Sequence, residues 1–279
     1  ADYNLSDIEK YIDWQPFFIA WEIHGKFPQL LTDEKIGEAA TKLYADAREL
    51  LQKIIREKWL KPCGAIGLWP ANATAADTVT VQSGNVGTVN LEFLRQQSKK
   101  ATGQANISLS DFIAPAESGK TDYIGAFSVT IQGIEKHIER FMADQDDYNK
   151  IILQALADRL AEAFADMLHK KVRTCYWGYE KGEQLDNQQL IKEEYKGIRP
   201  APGYPACPDH TEKYKRVQML GGEKNTGITL TESLAMYPAS SVCGWYLANP
   251  ESKYFGIGKI NKDQVTDYAR SKQMPLEEI

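Results

Sequence analysis

Between residues 63 and 130 the chain opens with Cys63-Gly64-Ala65-Ile66-Gly67-Leu68-Trp69 and closes with Tyr123-Ile124-Gly125-Ala126-Phe127-Ser128-Val129-Thr130, with Thr78-Val79-Thr80-Val81 between them. Helical period is absent here, and short apolar or alternating runs broken by Gly and Asn predict strands. Helices flank this block. Upstream, after Thr32, Asp33 and Glu34 suit a first helical turn, and Ile36, Ala39, Ala40, Leu43, Ala47, Leu50, Leu51 and Ile54 follow as a one-sided stripe that Lys61-Pro62 ends. Downstream, a long helix is expected from Asp146, with Ile152, Leu153, Leu156, Leu160, Phe164, Met167 and Leu168 on one side.

Further out, Ser6-Asp7-Ile8-Glu9 reads as a capping box opening a short helix that Pro16 stops. Asp186 with Gln189 caps another short helix, and one more runs to Leu220. Residues 241–247 and 254–260 read as a hairpin, and a last helix opens at Asn261. Helices and strands are segregated rather than alternating. The expected fold is therefore α+β with a largely antiparallel twisted sheet flanked by helices; length alone allows one large domain or two small ones, and the single domain is what the family resemblance given below implies.

With 279 residues, 43% apolar and 25% charged, the chain can bury a core without disulfides or a structural metal. A net charge of −5 without a basic block argues against nucleic acid as a partner. The longest apolar run, Phe17-Phe18-Ile19-Ala20-Trp21, is far short of a membrane span. The start carries no export signal, and Cys63, Cys175, Cys207 and Cys243 form no Cys-x-x-Cys pair, so a cytoplasmic setting is expected.

Ser118-Gly119-Lys120-Thr121 invites a phosphate-loop reading, but Ala114 stands where that pattern needs glycine and the following residues suit a strand; a turn is expected instead. His24, His137, His169 and His210 lack metal-ligand spacing, so no metal is expected. Cys207, three residues from His210, reads as a buried or structural thiol rather than a nucleophile. Asp158, Glu162 and Asp166 stack at four-residue spacing on the polar face of the long helix. Periodicity leaves two readings open, a solvated face or acids facing a cationic ligand.

The densest anomaly is Arg199-Pro200-Ala201-Pro202-Gly203-Tyr204-Pro205-Ala206-Cys207-Pro208-Asp209-His210. Its prolines fix the backbone and remove amide donors. Gly203 permits close approach of a ligand, Arg199 offers a planar fork for a carboxylate, and Tyr204 a stacking face. A rigid structural loop is the competing reading.

With Lys196-Gly197-Ile198 before it, this loop resembles the signature of the reactivation domain of cobalamin-dependent methionine synthase. Ile12-Asp13-Trp14-Gln15-Pro16-Phe17-Phe18, Trp69-Pro70-Ala71-Asn72, Ser110-Asp111-Phe112-Ile113-Ala114-Pro115 and Asp122-Tyr123-Ile124-Gly125-Ala126-Phe127 resemble the same family in the same order. So do Ala157-Asp158-Arg159-Leu160-Ala161-Glu162-Ala163-Phe164, Tyr176-Trp177-Gly178-Tyr179, Leu230-Thr231-Glu232-Ser233 and residues 252–260, so the resemblance spans nearly the whole chain.

The resemblance implies that residues 1–279 are an S-adenosylmethionine-binding activation domain, a fragment of a larger methyltransferase, with Asp13, Glu162, Arg199, Ala201, Gly203, Tyr204 and Tyr254 as ligand residues. It favours Glu162 as a ligand group over a solvated one. Arg199 would take the ligand carboxylate and the acids its ammonium or ribose hydroxyls; backbone groups of Ala201 and Gly203 would read adenine or ribose, with the tyrosines lining the pocket. The implied role is presentation of the methyl group to cob(I)alamin for reductive reactivation, with no catalytic side chain of its own. Implied partners are the cobalamin module of the same polypeptide and flavodoxin or a flavoprotein reductase. Since no Asp-x-His-x-x-Gly motif is present, cobalamin would come from the adjacent module and zinc for homocysteine would lie elsewhere in the full-length enzyme, so the fragment would bind without turnover. The alternative is a stand-alone reactivator serving another corrinoid methyltransferase in trans.

Overall fold

The computed structural model describes residues 3–75 and 77–278; Ala1, Asp2, Ala76 and Ile279, and with them both ends of the expected 1–279 domain, lie outside. Its main sheet is built from β1 (Lys61–Ala75), β2 (Thr78–Ser83), β3 (Gly87–Glu92) and β4 (Asp122–Gln132). After a two-residue ladder of β5 (Thr229–Leu230) with β6 (Met236–Tyr237), β7 (Ser241–Tyr246) completes it. The order is β3-β2-β1-β4-β7 with every pairing antiparallel, as the segregated pattern predicts.

β4 lies between β1 and β7, and side-chain alternation sends its residues to two cores. Phe127, Val129 and Ile131 join the core under the helices, whereas Ile124 and Ala126 join the core on the opposite face. Because both faces are covered, the strand reads as a near-continuous apolar run, which favours burial on both sides.

The helices in chain order are α1 (Leu5–Ile8), α2 (Gln15–Ala20), α3 (Gly37–Glu57), α4 (Glu135–Ala143), α5 (Asp147–Lys171), α6 (Asn187–Ile191), α7 (Glu212–Met219), α8 (Glu223–Thr226) and α9 (Lys262–Lys272). As expected, the Asp146 carboxylate caps α5 by accepting from the Asn149 amide at 3.0 Å. Leu160 and Phe164 of α5 are fully buried in the first core, as are Leu51 and Ile54 of α3. The capping box at Asp186 and Gln189 is present, and Gly119 is a left-handed turn residue just before β4.

Several boundaries differ. Asn4, not Ser6, precedes α1, and Pro16 sits in the first turn of α2 instead of ending a helix, a place where its missing amide hydrogen is no loss. α3 begins at Gly37 because the Asp33 carboxylate accepts from the Lys35 and Ile36 amides, which holds that segment as a turn. The helix has already ended at the left-handed Lys58, so Lys61-Pro62 begins β1. α4 and β3 were not foreseen. The expected hairpin is half right: residues 241–246 are β7, but 254–260 are irregular. Their polar backbone groups bond elsewhere, the Ile257 amide to the Pro205 carbonyl at 2.9 Å and the Gly256 carbonyl to Gln96 Nε2 at 2.7 Å.

The 199–210 loop lies across β7. Trp245 N donates to the Pro200 carbonyl at 2.8 Å, and Ile198 and Leu247 exchange backbone bonds at 2.9 and 3.0 Å. Gly244 makes this approach possible, since a Cβ there would stand 2.7 Å from the Pro200 oxygen.

Candidate functional site

Two compartments meet where α5 faces the 199–210 loop. The larger, about 490 Å³, is walled by Pro200, Ala201, Tyr204, Pro205 and Ala206 of the loop, by Val242 of β7, and by Tyr254 and Phe255. The smaller, about 160 Å³, is bounded by Asp13, Arg159 and Asp166, and by Leu190, Ile191 and Tyr195 at the end of α6 and beyond. Glu162, Glu193 and Arg199 border both. The larger volume lies within the roughly 300–1,000 Å³ usual for small-molecule sites.

At this junction Arg199 is the central charge. Its Nη2 donates to Asp166 Oδ1 at 2.7 Å, with both side chains only 18% exposed. Its buried Nε has no partner among the described residues. An unmatched guanidinium donor is costly to bury, and with almost no accessible surface this Nε does not face the open cleft. The Arg199 backbone amide donates to the Tyr254 hydroxyl oxygen at 3.0 Å, and that hydroxyl lies 3.2 Å from the Tyr195 hydroxyl. Hydroxyl contacts therefore set the Tyr254 ring against the loop.

Three carboxyls around Arg199 are held above the usual carboxylate range. For Glu162, Asp166 and Glu193 the first cause is burial, which disfavours the charged form, and the Arg199 charge opposes it. Asp13, placed before α2, accepts from the Gln15 amide at 2.9 Å and closes the far end of the smaller compartment. Behind Arg199, His169 is fully buried and its pKa is pushed well down, by burial first and then by the Arg173 and Arg199 charges.

Six of the seven expected ligand residues, Asp13, Glu162, Arg199, Ala201, Tyr204 and Tyr254, line these compartments. Gly203 does not line them. It has φ +96°, its amide donates to the Cys207 carbonyl at 2.8 Å, and a Cβ there would stand 2.3 Å from the His210 ring. The room left by its missing side chain is thus filled by His210, and Gly203 shapes the turn. The Ala201 carbonyl is likewise engaged, accepting from the Tyr204 amide at 3.1 Å. Sequence reading passed over Asp166 and missed Glu193, Tyr195 and Phe255. Asp166 carried the signal of the four-residue acidic stripe; Glu193, at φ +58°, carried none. Asp158, the third acid of the stripe, is exposed and accepts from Ser240 Oγ at 2.8 Å.

Cys207 is buried, and burial holds its thiol well above the ordinary range, which fits the structural reading. Among the described residues no cluster of His, Cys, Asp or Glu is arranged to hold a metal, and no helix is long and apolar enough to cross a membrane.

An antiparallel α+β domain whose cleft sets one guanidinium among several carboxyls, beside an aromatic wall, has the features of a small-molecule-binding domain. The family model described as vitamin B12 dependent methionine synthase, activation domain, matches residues 4–273. A crystal structure of the MetH reactivation domain bound to AdoHcy is 49% identical, with a TM-score of 0.95, covering 100% of this chain and 86% of that one. The chain belongs to the activation-domain family of vitamin B12-dependent methionine synthase, a methyltransferase.

Proposed function

We propose that this chain binds S-adenosylmethionine at the junction of the two compartments and presents its methyl group to cobalamin on a neighbouring module, reactivating methionine synthase in the cytoplasm. The observation that carries this reading is Arg199, a guanidinium set among Glu162, Asp166 and Glu193 where the two compartments meet. The ligand carries a carboxylate, an ammonium and a sulfonium, so it needs both signs of charge in one site. Arg199 would take the carboxylate with its guanidinium. Glu162, with Asp13 or Glu193, would take the ammonium. Val242, Pro205, Tyr254 and Phe255 would pack against the adenosyl group.

When bound, the ligand supplies an electrophilic methyl group, and the reduced cobalamin of the adjoining module supplies the nucleophile. What the chain's own residues contribute is orientation and exclusion of water. Arg199 and the carboxyls anchor the amino-acid end, which leaves the methyl group's direction to the rigid 199–210 backbone. The fragment alone would then bind without turnover. Mixing it with a separately produced cobalamin module and reduced flavodoxin, and following methylcobalamin by absorbance, tests the reading. Formation that depends on both the fragment and S-adenosylmethionine is expected; formation at the same rate without the fragment would refute it.

The raised carboxyls have a consequence for pH. A carboxyl whose folded pKa exceeds its unfolded value binds its proton more tightly in the folded chain. Ligand-free stability therefore rises as pH falls through the raised pKa, and is reduced above it. A cationic ligand prefers the ionised form and pulls the other way. Affinity for S-adenosylmethionine, measured by calorimetry, is expected to weaken as pH is lowered toward the range where ordinary carboxylates titrate, with the loss beginning above that range. Glu162→Gln should weaken binding by on the order of tenfold, the worth of a hydrogen bond between charged groups. Without ligand it should raise the melting temperature by about 1–3 °C, as expected when a site strained for binding is relieved. A melting temperature that falls, with affinity unchanged, would remove Glu162 from the site.

A further inference from the structure

The 199–210 loop is held at its far end by a charge cluster that the binding reading leaves unused. Lys272, in the last turn of α9, is 3% exposed, and its ammonium donates to Asp209 Oδ2 and to Thr211 Oγ1. It also lies 2.7 Å from Glu212 Oε1, on a side chain that is completely buried. One turn earlier on α9, the Tyr268 hydroxyl is 2.7 Å from Asp209 Oδ2 and 3.1 Å from the Glu92 carbonyl oxygen. Asp209 accepts in addition from the Thr211 amide at 2.8 Å. Burial alone would raise the Asp209 pKa, yet the Lys272 and Thr211 hydrogen bonds keep it below the usual range.

At its other end α9 is pinned to the segment after β3. The Arg95 amide donates to Gln264 Oε1 at 2.7 Å, and Gln264 Nε2 returns a bond to the Arg95 carbonyl at 2.9 Å. The helix therefore bridges the edge of the sheet and the loop that walls the cleft. Within that loop the backbone closes on itself, with the Gly203 amide on the Cys207 carbonyl at 2.8 Å and the Cys207 amide on the Tyr204 carbonyl at 2.9 Å. Asp209 follows that closed turn by two residues, so whatever fixes Asp209 limits where Tyr204 and Pro205 can stand.

We propose that α9 is a clasp on the ligand loop, with Lys272 and Tyr268 as positioning residues that act through Asp209 to hold residues 200–206 in the shape that accepts ligand. Nothing in the cleft touches Lys272, so its effect on binding would be wholly indirect. The proposal rests on the binding reading for its consequence, although the clasp itself can be judged without ligand.

The test compares the whole chain with Lys272→Met and Tyr268→Phe by calorimetry with AdoHcy and by amide hydrogen exchange. Removing the ammonium leaves the Asp209 carboxylate without its counter-ion, whereas Glu212 keeps Lys215 Nζ at 3.1 Å, so the loop should open at Asp209. In a Lys272→Met chain that keeps its circular dichroism, the dissociation constant is expected to rise by about tenfold or more. Exchange at the Gly203 and Cys207 amides should quicken by about tenfold or more, while Phe127 and Val129 in β4 keep their protection. Uniform loss of protection would mark general destabilisation and overturn the proposal, as would wild-type affinity in a folded Lys272→Met chain. Should Lys272→Met fail to fold, Tyr268→Phe decides: faster exchange confined to the loop supports the clasp, and unchanged exchange overturns it. If the wild-type chain itself does not bind AdoHcy, the binding reading fails and the exchange pattern alone judges the clasp.

Discussion

Arg199→Ala is expected to weaken S-adenosylmethionine binding by roughly 10- to 150-fold, because a hydrogen bond to a charged group contributes about 1.5–3 kcal/mol. It should also destabilise the ligand-free chain, since Asp166 would keep its buried carboxyl and lose the guanidinium 2.7 Å away. The two effects separate in a pair of variants. Asp166→Asn removes the acid that needs a counter-ion, so Arg199→Ala combined with Asp166→Asn should recover much of the stability and none of the affinity. Calorimetry reads the affinity and thermal denaturation the stability. If Arg199→Ala binds as tightly as the wild type, Arg199 is a structural residue and the proposed contact with the ligand carboxylate is wrong.

A second large effect is expected behind the site. Arg173 and Glu183 form a forked pair, Nε to Oε2 at 2.5 Å and Nη2 to Oε1 at 2.8 Å, with side chains 1% and 2% exposed. Arg173→Met should lower stability by about 3–5 kcal/mol, because Glu183 would remain as a buried charge without a partner. Converting both, Arg173→Met with Glu183→Leu, should return the stability close to wild type, since an apolar pair of similar volume avoids desolvating two ions. Binding should suffer in both cases. The Arg173 guanidinium lies 4.4 Å from the centre of the Tyr195 ring, and the Tyr195 hydroxyl contacts that of Tyr254 in the cleft wall. Urea denaturation checks stability. A single variant as stable as the double would contradict the assignment of a charge-paired core.

Much of the fold was legible because its long elements carry strong periodic signals. α5 and the central strands follow from apolar spacing and from the Asp146 cap, which act locally. The elements misread are those whose hydrogen bonds go somewhere that local pattern does not reveal. Residues 254–260 have strand-like composition, but Ile257 bonds to Pro205 and Gly256 to Gln96, far away in the chain. β3 and α4 were missed for want of a clean apolar pattern; β3 is largely exposed along its first half.

The site was legible in a different way. The Pro-rich loop announces itself by composition, and family resemblance selected Glu162 from an acidic stripe that periodicity alone could not sort. Asp166 belongs to the same stripe, but its pairing with Arg199 is a tertiary contact between residues 33 apart in sequence. Glu193 reaches the cleft through a left-handed backbone turn at the end of α6, which a glutamate seldom adopts and a sequence does not display. Gly203 illustrates the opposite case: it was expected to let a ligand approach the backbone, yet the space it opens is taken by His210.

The most direct test is a crystal structure of this chain grown with saturating S-adenosylmethionine. The predicted result places the ligand carboxylate against Arg199, its ammonium among Glu162, Asp13 and Glu193, and its adenosyl group between Val242 and the Tyr254–Phe255 wall. Ligand bound at another surface, or an empty cleft with Arg199 contacting Asp166 alone, would contradict it.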